Sequence, residues 1–112
     1  SNRLSGRARD LLLAQDDDVV ISPLLQYELS QKRAKGKLDL SIPAREFVML
    51  GMEQLMLSEL PLLLRHTQLS DTIGWHHRDP FDRLLALQAI GEGIPIISAD
   101  AVFESYGIRR IW

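Results

Sequence analysis

Four carboxylates in this 112-residue chain stand where they could share one piece of chemistry: Glu28, Asp79, Asp82 and Asp100. Each lies on, or directly beside, a segment whose other residues are largely apolar. A carboxylate buried among apolar groups needs a cation or several hydrogen-bond donors. Oxygen ligands in a chain without thiolates suit a hard divalent ion, Mg2+ or Mn2+. Such an ion can activate water and stabilise the transition state of a phosphodiester. Each acid also has a plainer reading. Asp79 precedes Pro80 and makes a good helix N-cap, with Asp82 in the first turn beside the positive helix end. Glu28 could pair with an arginine or reach out at the rim of the core. Asp100 could cap the turn that follows it.

The elements that must carry these acids are legible in the pattern. "SPLLQYELSQKRAKG" starts with a serine N-cap and a proline at the first helical position, and predicts a helix to about Lys35. Glu28 projects between the directions of Leu24 and Leu25 on its apolar face. "DPFDRLLALQAIGEG" predicts a helix ending near Gly91 or Gly93. At about 100° per residue, Asp82 shares a side with Leu85, Ala86 and Ala89. "IPIIS" reads as a strand, and Asp100 follows it, where ligands collect in parallel sheets. Further helices are expected over 3–15, with Leu4, Ala8, Leu11 and Leu12 on one stripe, over 44–56 and over 63–74. "VVIS", "SELPL" and "IRRIW" are short strands. Strands alternating with helices predict an α/β fold with a mainly parallel sheet, in which the acids should converge at one sheet edge.

Composition narrows the function classes. The length suits one domain, residues 1–112. Hydrophobic residues make up 46%, an ordinary globular share that argues against disorder. The absence of cysteine removes disulfides and cysteine nucleophiles and suits a reducing cytoplasm. No apolar run is long enough to span a membrane. A net charge of −2 is unlike a basic duplex-binding domain, although ten of the thirteen basic residues are arginine, which holds phosphate bidentately. No phosphate-cradling glycine loop or serine-hydrolase elbow appears.

"HHRDPFDRLLALQAIGEGIPIISADAVFESYGIRRIW" resembles the C-terminal half of PIN-domain proteins, especially ribonuclease toxins of VapC type. "VVISPLLQYELSQKRAKGKLDL" is similar to the family's second strand and following helix. The resemblance implies a three-layer α/β/α domain that cleaves RNA with a divalent metal, Mg2+ or Mn2+. By matching motifs it implies Glu28, Asp82 and Asp100 as catalytic metal ligands, with Asp79 as an accessory ligand or a cap. Ser98 keeps the hydroxyl of the family's Thr-x-Asp motif. It also implies a cytoplasmic enzyme, inhibited by an antitoxin protein and paired as a homodimer.

One departure bears on activity. The family opens with a strand carrying the first acid of the site, whereas "SNRLSGRARD" resembles the end of that region. The reading is therefore of an N-terminally truncated or degenerate domain, with Asp16, Asp17 and Asp18 as poor substitutes because they lie in a turn. The alternative function is a non-catalytic PIN-like interaction or dimerisation module. Smaller signals remain open. Arg78 and Arg83 flank the acids and could meet RNA phosphates or form surface ion pairs. His76 and His77 are adjacent and point apart in a loop. Trp75 and Trp112 could stack bases, although packing in a core or interface is the commoner use. Met49, Met52 and Met56 follow helical spacing, as in a core or a dimer face.

Overall fold

The computed structural model describes residues 5–14, 19–75 and 79–112. The chain divides into two compact units, Leu12–Pro61 and Ser1–Leu11 with Leu62–Trp112. The division falls inside the first helix, α1 (Gly6–Ala14), where Ala8 is fully buried, as its stripe predicts. Leu4 lies outside the described residues.

The unit of residues 12–61 is a strand–helix–helix–strand arrangement. β1 (Val20–Ile21) pairs in parallel with β2 (Ser58–Glu59), Val20 facing Ser58 and Ile21 facing Glu59. Parallel neighbours need a long crossover, and α2 (Pro23–Ala34) and α3 (Ala44–Leu55) supply it. α2 starts where its serine and proline require: Ser22 Oγ accepts from the Leu24 N–H at 3.2 Å. It ends where Gly36 adopts φ +71°. α3 buries only Ala44 and Val48, four residues apart on one face. Phe47, Met49 and Leu50 stay in solvent, and Met52 and Leu55 are half-buried.

The second unit is built around α5 (Pro80–Glu92). Gly93, at φ +67°, ends the helix in the left-handed turn predicted for it. Ala86 and Ala89 present small side chains, and Phe103 and Ile108 pack onto them. Leu85, Ile90, Ile96, Val102 and Tyr106 close around this cluster. β3 (Ile96–Ile97) pairs in parallel with β4 (Arg110–Ile111), and a 3-10 helix over Ala101–Tyr106 makes the connection. On another side of α5 lies α4 (Leu64–Gln68), followed by a 3-10 turn over Leu69–Asp71. Contact there is close enough to demand glycine. A Cβ on Gly91 would stand 2.8 Å from Cδ2 of the His66 ring.

Both strand pairs are parallel, and helices carry or flank each of them. Every predicted element is present, but the strands shrink to two residues each. Among the described residues, no helix is long and apolar enough to cross a membrane.

Candidate functional site

Asp79, Asp82 and Asp100 belong to the unit built on α5, and Glu28 to the other. Asp79 is the N-cap of α5. Its Oδ1 accepts from the Phe81 N–H at 2.8 Å and from the Asp82 N–H at 3.4 Å. That satisfies donors the helix leaves open and sets a negative charge at its positive end. Asp82 is half-buried in the first turn, one turn before Ala86, which is fully buried. The placement agrees with its predicted face.

Asp100 is exposed and caps the 3-10 helix, accepting from the Val102 N–H at 2.9 Å. Ser98 holds the turn before it: its Oγ accepts from the Asp100 N–H at 3.1 Å, and its own N–H donates to the Ile111 carbonyl at 3.1 Å. Arg110 ties the same turn from β4. Its guanidinium donates to the carbonyls of Ser98 at 3.2 Å and Ala99 at 3.4 Å, and pairs with Glu104 at 3.2 Å.

Glu28 is half-buried on α2 and pairs with Lys32 Nζ at 2.9 Å, one turn along the same helix. The cation is thus a local lysine rather than an arginine. The carboxylates are chemically suited to a hard divalent ion. Among the described residues, no group of three or more His, Asp or Glu side chains that could hold a metal ion is present.

Arg83 corrects its expectation as a surface contact for phosphate. It is only 5% exposed. Its guanidinium donates to the Gly74 carbonyl at 2.5 Å and the Ser70 carbonyl at 3.2 Å, and lies 3.5 Å from the centre of the Trp75 ring. Arg83 therefore fixes Ser70, Gly74 and Trp75 against α5. Trp75 in turn is not core: it is 80% exposed. Trp112 is half-buried. Met49 and Met56 lie in solvent rather than in a core, and Met52 is half-buried. His76, His77, Arg78 and Asp16 to Asp18 lie outside the described residues.

Sequence reasoning passed over one buried polar group, His66. Its side chain is fully buried. Nδ1 accepts from the Leu63 N–H at 2.9 Å, a backward cap on the start of α4. An accepting Nδ1 leaves the proton on Nε2, which meets Glu92 Oε1 at 2.7 Å. Arg65 pairs with the same oxygen. The hydrogen bond from His66, and after it the one from Arg65, hold the Glu92 carboxyl below the usual glutamate range, against a smaller opposing effect of burial. With both ring nitrogens engaged, His66 joins α4 to α5 and is not a free base. No local signal marks a pair 26 residues apart. The one hint is the glycine beside Glu92, where the ring needs room.

No curated protein and no solved structure matches the chain. Among known families, the PIN domain matches residues 2–108. Parallel strand pairs and intervening helices accord with that match. Because it runs through nearly every element described above, the chain belongs to the PIN-domain family, a three-layer α/β/α fold whose members are in general nucleases.

Proposed function

We propose that the chain is an endoribonuclease of VapC type, the toxin half of a type II toxin–antitoxin pair, acting in the cytoplasm. The observation that carries this reading is the PIN-domain match over residues 2–108. PIN-domain nucleases typically use divalent metals. We assign Glu28, Asp82 and Asp100 as the acids of the site and Mg2+ or Mn2+ as the ion, with Asp79 as an accessory. Asp79 already has the capping work described above, which makes it the weakest ligand of the four. To serve an ion, Glu28 must also share or release Lys32, and Asp100 must keep one oxygen on the Val102 N–H while offering the other.

Arg78 and Ser98 are assigned to the RNA backbone. An antitoxin and a second copy of the chain are the proposed protein partners. The solvent-facing Phe47, Met49 and Leu50 of α3 supply apolar surface of the kind such partners cover.

The test is RNA cleavage by the purified, folded, antitoxin-free chain with Mn2+. Cleavage should disappear on chelation and in Asp82→Asn, while circular dichroism stays unchanged. A folded chain that leaves RNA intact under these conditions overturns the reading, and the non-catalytic interaction module takes its place.

A further inference from the structure

Trp75 is the most exposed of the large apolar side chains among the described residues, at 80%. Tryptophan usually gives much of its area to packing. Here the ring is exposed and yet held. Arg83 lies against it at 3.5 Å from the ring centre, itself buried and anchored on the Gly74 and Ser70 carbonyls. The Gly74 carbonyl belongs to the residue just before Trp75, so one side chain grips both the ring and its backbone. With one face against a guanidinium, an exposure of 80% means that the second face is open. A rigid aromatic plane with one open face matches an unpaired base. Every base has a π face, and one already stacked in a duplex has none to spare.

The position of the ring adds to its shape. Arg83 directly follows Asp82 on α5, so Ser70, Gly74 and Trp75 are held to the same first turn that carries the proposed site acid.

We infer that Trp75 is a stacking platform for an unpaired base of the RNA, set in place by Arg83. This rests on the ribonuclease reading and adds to it one residue, Trp75, that would hold the substrate. Trp112→Phe leaves Trp75 as the sole tryptophan, so its emission can be followed directly in the full chain. A single-stranded oligoadenylate is titrated in with Ca2+ to limit cleavage. Emission should be quenched to saturation by the single strand and not by a duplex of the same length. Trp75→Ala should weaken single-strand binding about tenfold, and Trp75→Phe should restore most of it. The salt dependence should not change, because no phosphate contact is lost. The unfolding midpoint of Trp75→Ala gives the stability check.

Binding of the single strand by Trp75→Ala as tightly as by the parent overturns the platform and leaves the ribonuclease reading standing. So does a blue shift of Trp75 emission with protein concentration alone, which would mean that a second copy covers the ring. If the parent chain binds no RNA, the ribonuclease reading falls, and the platform with it.

Discussion

Helices α5 and α3 invert the usual rule of burial. α5 buries Arg83 and Gln88, while α3 leaves Phe47, Met49 and Leu50 in solvent. Polarity of the side chain does not explain the difference; the neighbours do. Around α5 the Ser70–Gly74 segment turns two carbonyls toward Arg83, and a ring covers its guanidinium. A buried cation is tolerable when its donors are met in this way. α3 buries only Ala44 and Val48, so Phe47, Met49 and Leu50 are left without cover within the chain. The first arrangement makes α5 a rigid support for Asp82. The second leaves α3 with three large apolar side chains in solvent.

Substitutions should separate the two helices sharply, beginning with Arg83→Met. Methionine fills much of the space but strands the Gly74 and Ser70 carbonyls and removes the support under Trp75. A loss of about 2–4 kcal/mol is expected from urea unfolding. A loss below about 0.5 kcal/mol would show that the guanidinium is not buried against these carbonyls in solution.

A smaller effect, tied to pH, should come from Glu92→Gln. The folded carboxyl titrates below its unfolded counterpart because His66 and Arg65 bind its ionised form. Its contribution is therefore complete above the unfolded value and is lost as pH falls through the lower folded one. Unfolding midpoints measured from about pH 6 to about pH 3 should show the parent losing stability across that window. The gap between parent and Glu92→Gln should close over the same range. A constant gap would mean that the carboxylate is not what joins α4 to α5.

The smallest effect should come from α3. Met49→Gln with Leu50→Gln changes two side chains that are 59% and 48% exposed. Stability should stay within about 0.5 kcal/mol of the parent at low protein concentration. A larger loss would show that these residues are already covered in solution, and the contrast with α5 would fail.

Much of the fold can be read along the chain because its signals are local. Ser22-Pro23 and Asp79-Pro80 start helices through caps that need only the next three residues. Gly36 and Gly93 end them because a left-handed turn favours glycine. The small Ala86 and Ala89 announced a face of close packing, and it is the core of their unit. The helices that carry Glu28 and Asp82, and the strand before Asp100, were visible too. What remained hidden depends on residues far apart in sequence. His66 meets Glu92 only because α4 lies against α5, and beyond the small Gly91 nothing within either helix marks the pair.

Arg83 shows where sequence stops and tertiary structure takes over. Its place in the first turn of a capped helix follows from Asp79 and Pro80, through hydrogen bonds that close within a few residues. Its direction does not follow from them. Whether a guanidinium faces solvent or turns inward depends on which carbonyls and rings a separate loop brings within reach. Sequence by itself determined the caps, the helix faces, the parallel strand–helix alternation and the family. Tertiary structure alone decided that Arg83 is buried, that Trp75 stands exposed over its guanidinium, and that His66 meets Glu92. The physical reason is that desolvation is decided by all the neighbours of a side chain together, and most of those neighbours are distant in the chain.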